Sequence, residues 1–303
     1  MSSKARLIIF LAALWLPLGG CLLRTHTVER RVSNMPLQQA TLEELVGKIN
    51  GEAARIKTLN ATVDIATSVG GEAKGKITEY QEIRGYVLLR KPAMLRMIGL
   101  FPVVRNRAFD MVSDGQKFRL SLPTKNKFII GSKDVTQPST HSLENLRPQH
   151  ILDALLVKEV DPKSEIAVLE SGIEVVRDAK SKKEVTVPSY QVAVIGRADD
   201  GKWYLLRKIV FSRTDLLPRK QVLYNKLGNV VTIATYDNYS EQYGLMFPNI
   251  IQVERPQEEY SIQLGIVKLK LNEPLRDDQF DLQQPQGAQL VNLDLGQRAH
   301  NSQ

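Results

Sequence analysis

Few side chains in this sequence combine type and spacing in a way that supports chemistry. The four histidines, His26, His141, His150 and His300, are scattered and show no metal-ligand spacing. No G-x-S-x-G elbow, phosphate-binding glycine loop or His-x-x-x-His pair occurs. Asp277 and Asp278 sit in polar loop sequence, where solvation is the expected role. The pattern points away from an enzyme, with no metal and no cofactor. Cys21 stands apart: it is the only cysteine, so no intramolecular disulfide can form, and its thiol is free to act as a nucleophile.

The formal net charge is +8. Arg30-Arg31 and Lys180 to Lys183 are among its few tight clusters, and no aromatic residues interleave with them, so nucleic acid is not an expected partner. Lys4 and Arg6 precede an apolar run from Leu7 to Leu18, broken by Pro17 and too short to span a bilayer comfortably. That is the pattern of a secretion signal over residues 1–20. Its exit, Leu18-Gly19-Gly20-Cys21, resembles the lipobox of bacterial lipoproteins, which implies a diacylglyceryl group on Cys21. Two or three acyl chains, palmitate among them, at about 0.8 kcal/mol per buried CH₂, would anchor the chain stably. Leu22 stands where an inner-membrane retention signal would be an aspartate, so residence at the periplasmic face of an outer membrane is expected.

The elements downstream decide what the anchor carries. Residues 21–40 are mixed and aperiodic, a lipidated flexible tether that could reach on the order of 60 Å at about 3.3 Å per residue. Thr41 and Glu44 form a capping box ahead of an apolar stripe through Leu42, Leu45, Val46, Ile49, Ala53 and Ile56. Alternating strands follow at Val63 and Ile65, Tyr86 to Leu89, Phe118 to Leu122 and Phe128 to Ile130, with Asp114-Gly115 as a hairpin turn. Pro148 opens a second helix through Ile151, Leu152, Leu155 and Leu156. Five more strands run between Tyr190 and Glu254, punctuated by Asp200-Gly201 and Gly228-Asn229. In the last long strand Tyr260, Ile262, Leu264 and Ile266 share one phase while Val267, Leu269 and Leu271 share the other, so a β-bulge is expected near Gly265. One domain over 41–293 is permissible in length, with 294–303 a disordered tail.

Met97-Ile98-Gly99-Leu100-Phe101-Pro102-Val103-Val104 lies between two of these strands. Gly99 and Pro102 are read as strand breakers, which makes the segment a loop rich in large apolar side chains. A buried strand end with a bend is one reading. The other, adopted here, is an exposed apolar protrusion formed by Ile98, Leu100, Phe101 and Val103, a feature that marks membrane or ligand contact.

The order helix, Asn60-Ala61-Thr62-Val63, Arg84-Gly85-Tyr86-Val87-Leu88-Leu89-Arg90-Lys91-Pro92 and Ser113-Asp114-Gly115 resembles the lipoprotein carrier and receptor proteins of the Lol pathway (LolA/LolB-like). Phe280-Asp281-Leu282 with Pro285 to Ala288 and Val291 is similar to the end of the carrier's sheet, and Asn145 to Leu152 to the start of the receptor's helix. The resemblance implies an α+β fold: an unclosed, strongly curved antiparallel β half-barrel with helices covering the concave face, and acyl chains bound between them. It also implies that the Leu100 loop corresponds to the receptor's protruding leucine, and Cys21 favours that membrane-anchored relative. The chain departs from the carrier where an arginine latches the lid to backbone carbonyls: Lys91 stands there and lacks the guanidinium fork. Arg90 beside it should point to the opposite face. The chain is also longer, chiefly between Lys158 and Ser189, where an extra hairpin or loop is expected.

Two functions follow. The first is a membrane-anchored lipoprotein that binds lipid or acylated lipoprotein in an apolar cavity and helps transport or insert it at the outer membrane, with a periplasmic carrier protein as a further partner. Leu45, Ile49, Leu89, Leu95, Leu120 and Leu152 are its expected cavity lining. The alternative is a structural or assembly lipoprotein whose core is solid and whose Leu100 loop docks a protein.

Overall fold

The computed structural model describes residues 36–71, 75–133, 147–177 and 184–294; Cys21, the signal, most of the tether and nearly all of the tail lie outside them. Two units divide the chain, Met35–Glu174 with Val187–Gln303, and a second to which Val175–Thr186 belongs. Of the second, only strand ends 175–177 and 184–186 are described.

Helix α1 (Leu42–Arg55) begins where the capping box places it: the Glu44 amide donates to Thr41 Oγ1 at 3.2 Å, and the Thr41 amide donates to Glu44 Oε2 at 2.8 Å. The chain ahead of it is already fastened, because the Gln38 amide donates to the Arg213 carbonyl at 2.7 Å. There follow β1 (Thr58–Gly71), β2 (Lys76–Glu79), β3 (Ile83–Arg90), β4 (Met94–Leu100), β5 (Arg107–Ser113), β6 (Lys117–Leu122) and β7 (Lys127–Ser132). Helix α2 (Pro148–Leu155) leads to β8 (Glu165–Arg177), β9 (Glu184–Arg197), β10 (Trp203–Ser212) and β11 (Pro218–Tyr224). The chain closes with β12 (Val230–Gln242), β13 (Leu245–Arg255), β14 (Tyr260–Leu271) and β15 (Gln289–Asn292). The long strands β8 and β9 occupy the stretch where the sequence suggested a hairpin or loop.

The strands form one sheet in the order β15-β7-β6-β5-β4-β3-β1-β14-β13-β12-β11-β10-β9-β8, with β2 on β1. It is unclosed, and antiparallel from β7 to β9; β15 lies parallel to β7. Register keeps the apolar positions on one face. Ile129, Leu120, Met111, Met97, Val87, Ala61 and Leu269 stand opposite one another from β7 to β14, all buried. Val192, Ile209, Gln221, Ala234, Val253 and Ile262 continue the face from β9 to β14. Burying each large aliphatic side chain contributes about 1.5–3 kcal/mol. The expected bulge is present: Thr62 pairs with Lys268 and Val63 with Ile266, leaving Val267 as the extra residue.

Topology then explains what lies on each face. The chain leaves at β7 and re-enters at the far edge, β8, so its connection must cross the sheet; α2 does so on the apolar face, burying Ile151, Leu152, Ala154 and Leu155. Helix α1 buries Leu45 and Ile49 on the same face, against Val192, Val194, Ile209 and Phe211. After β14 the chain must return to β15 beside β7, and it crosses the other face with Leu275, Phe280 and Leu282 packed against Val112 and Phe128. Three arginines fasten this strap: Arg90, Arg96 and Arg119 donate to the carbonyls of Leu275, Gln279 and Leu282 at 2.9, 2.9 and 3.2 Å. No helix among the described residues is long and apolar enough to cross a membrane.

Asp110 is fully buried beneath the strap and accepts from Arg96 at 3.0 and 2.8 Å. Removing one partner of a buried pair strands the other charge, so Asp110→Ala should cost about 3–5 kcal/mol in urea unfolding. A loss under about 1 kcal/mol would mean that the strap does not depend on this pair.

Candidate functional site

An apolar cavity of about 60 Å³ opens on the sheet's apolar face, between α1, the end of α2 and strands β10 to β13. Ile49, Ala53 and Ile56 line it from α1 and its cap, with Glu52 in the same wall. Leu155, Leu156 and Val157 close one side, and Phe211, Pro218, Tyr236, Tyr239, Leu245, Met246, Phe247 and Pro248 form the floor. The two phenols face carbonyls: Tyr236 Oη donates to Ala154 O at 2.9 Å and Tyr239 Oη to Pro218 O at 2.5 Å. Burial raises both phenol pKa values, keeping them neutral donors and leaving the rings as apolar wall.

Of the six side chains expected to line a cavity, Ile49 does; Leu45 packs against β9 and β10, Leu89, Leu95 and Leu120 are solid core under α2, and Leu152 packs onto that core from α2 itself. All six lie on the apolar face. Tyr236 and Tyr239 were missed because strict alternation puts residues three apart on opposite faces. Asn238 between them has φ 53°, a left-handed conformation that asparagine tolerates, and both tyrosines reach the cavity. A larger space of about 420 Å³ lies beside the strap, but Asp114, Lys117, Arg119, Asp281 and Asp294 are in its wall. Five ionisable groups make a poor host for an apolar ligand.

Lys91 reaches α1 despite lacking the fork. Its Nζ donates to the Ala53 carbonyl at 2.6 Å and to Glu159 Oε1 at 3.0 Å. Asn50 ties the same helix to the segment after α2: its Nδ2 donates to Val160 O at 3.0 Å while its Oδ1 accepts from the Val160 amide at 2.8 Å. Arg90 points to the other face, over the Phe280 ring at 5.1 Å.

The apolar protrusion is shorter than the sequence suggests: of Ile98, Leu100, Phe101 and Val103, Val103 alone is exposed. Ile98, Gly99 and Leu100 belong to β4, with Gly99 opposite Phe109. Gly99 is no strand breaker; a Cβ there would lie 2.4 Å from the Phe109 ring and 2.7 Å from Ile83 Cδ1, so its lack of a side chain makes room for both. Leu100 and Phe101 are half-buried, and the turn is closed by the Phe101 amide donating to Asn106 O at 2.9 Å. The exposed apolar tip is Val103 and Val104, at 99% and 65% exposure. Val103 has φ 36°, a conformation rare for a β-branched residue.

No metal-binding group of three or more His, Cys, Asp or Glu side chains exists among the described residues. His150 serves structure: its Nδ1 is 3.0 Å from Tyr260 Oη, fixing the start of α2 to β14. Gln221 adds a further tie, its Nε2 donating to Asp153 O at 2.9 Å.

No family model matches the chain, and no curated protein does. Among solved structures it is similar to a LolA superfamily protein from Nitrosomonas europaea, at 16% identity and TM-score 0.48 over 80% of this chain and 99% of that one. It is also similar to a DUF1329 family protein from Desulfovibrio piger, at 16% identity and TM-score 0.47 over 78% and 94%. A domain from Vibrio parahaemolyticus, described as outer membrane lipoprotein-sorting, matches at 11% identity and TM-score 0.46 over 78% and 95%.

Burial, then the Arg255 and Arg147 cations, hold the His150 pKa well below the ordinary 6.5. Below pH 6.5 the unfolded chain binds a proton that the native state refuses, so stability falls as pH drops toward the folded value. His150→Gln should flatten that decline, by up to about 1.4 kcal/mol per pH unit, in melts between pH 7 and 5. Asp153 and Glu52, whose carboxyl pKa values burial raises, act with the opposite sign and are common to both proteins. Parallel profiles for the two proteins would contradict the assignment.

Proposed function

We propose that this chain is a lipid-anchored envelope protein of the LolA/LolB-like kind, which takes an acyl chain of lipid or lipoprotein into the cavity beneath α1. The single observation that carries this reading is an apolar cavity on the helix-bearing face of an unclosed sheet. In this reading the sheet is a strongly curved half-barrel and the helices cover its concave side. At about 60 Å³ the cavity holds little more than two waters' share of liquid and falls well below the roughly 300–1,000 Å³ of ligand sites. Helix α1 must therefore move away, and the ties from Lys91 and Asn50 are what it would release. Cys21, outside the described residues, carries the anchor, and the outer membrane is its destination. A periplasmic carrier that hands over cargo is the matching partner. The small cavity volume favours a second reading, the solid-core assembly protein.

Saturable binding of a fluorescent acyl probe to the Cys21→Ser chain separates the two. Each buried CH₂ could contribute roughly 0.8 kcal/mol before ordering costs, and Lys91→Met should tighten binding severalfold by raising the open population. A folded protein that binds no acyl probe supports the solid-core reading. At the membrane, intact mass should show acyl groups on the wild-type chain and none on Cys21→Ser. Val103→Ser with Val104→Ser should weaken vesicle association of the Cys21→Ser chain while changing stability by less than about 0.5 kcal/mol. Unaltered association would remove the tip from the account.

A further inference from the structure

We infer that the cavity selects acyl chains carried on uncharged or cationic heads with an N–H or O–H donor, and rejects anionic heads, because Glu52 is the one carboxylate in its wall. This inference rests on the acyl-binding reading above and names its ligand class. Glu52 shares a helical stripe with Ile49, Ala53 and Ile56, so its side chain is held at the apolar wall by the same periodicity that buries its neighbours. Among the described residues it has no hydrogen bond or ion pair; its charged neighbours are Lys48 and Arg55, one turn away on either side of the same helix.

No described sheet residue forms a hydrogen bond or ion pair with it. Tyr239 faces it, but that hydroxyl is spent on Pro218 O; Arg219, over the Tyr239 ring at 5.0 Å, is paired with Asp215 through Nη2, while its buried Nη1 has no hydrogen-bond partner and does not reach Glu52. Burial raises the Glu52 pKa by more than the Lys48 and Arg55 cations lower it. A ligand donor placed at the cavity mouth would supply the missing charge-assisted hydrogen bond. A fatty-acid carboxylate or a phosphate would instead set like charge against like in a partly desolvated site.

Dodecylamine, N-methyldodecanamide and dodecanoate share a chain length and differ in the head, so calorimetric titration of the full chain carrying Cys21→Ser reads the selection. The amine and the amide should bind about tenfold or more tighter than dodecanoate, as one such hydrogen bond implies. Glu52→Gln should bring the three within about threefold, and Glu52→Lys should reverse the order, so either variant suffices if the other fails to fold. Equal affinities in the wild type, or a ranking that Glu52→Gln and Glu52→Lys leave unchanged, overturn the inference while leaving acyl binding intact. Failure of all three probes to bind overturns the acyl-binding reading as well.

Discussion

Between Thr62 and Val63 the register of β1 against β14 slips by one residue, and Val267 is left without an opposite partner. A strand's side chains alternate with a period of two, so without the slip Leu269 and Leu271 would turn to the strap side. With it they stand beside Ala61 and Leu59 on the apolar face. Because β1 sits at the centre of the strand order, this pairing joins the β3–β7 half of the sheet to the β8–β14 half. One bulge thus keeps a single continuous apolar face available for both helices.

That continuity has two consequences. The chain must cross from β7 to β8 over the apolar face, which places α2 and the segment reaching Val160 where they can hold α1; and it must cross back after β14, which places the strap on the other face. The two halves of the apolar face then differ in filling. Under α2 the aliphatic side chains of β3 to β6 are fully packed, whereas between α1 and β10 to β13 bulky rings leave a gap. Besides the burial of Leu45, Ile49 and Ala53, α1 is held by a few polar ties: a lysine ammonium, an asparagine amide and Asn272, whose Nδ2 donates to Arg55 O at 2.8 Å. Such bonds contribute about 0.5–1.5 kcal/mol each and can be exchanged for water. In the proposed opening α1 would exchange these bonds for water and lift Leu45 and Ile49 from β9 and β10, while α2 would stay tied by the buried Tyr236 and by His150.

Local rules made much of this legible in the sequence. The Thr41–Glu44 box, Pro148 at the start of α2, the turn at Asp114-Gly115 and the phase change ahead of Val267 are each decided within a few residues. What the sequence hid depends on distant partners. Gly99 looked like a breaker because its neighbours Phe109 and Ile83 cannot be foreseen from β4 alone, and the expected protrusion of Ile98, Leu100, Phe101 and Val103 accordingly shrinks to Val103, with Val104 beside it. Leu89, Leu95, Leu120 and Leu152 were expected to line a cavity and are packed core instead, because whether an apolar residue meets another element or a gap is decided by packing across strands and helices. Lys91 was doubted for lacking a fork, yet a single carbonyl needs only one donor.

The central claim is that α1 must leave the sheet to admit an acyl chain. Spin labels at Ala54 on α1 and Lys268 on β14, both exposed, report that distance by pulsed electron resonance in the chain carrying Cys21→Ser. Saturating dodecylamine should lengthen or broaden the distribution by several ångströms, about the scale of one helical turn. An unchanged distribution, in a protein shown to have bound the amine, would contradict the account.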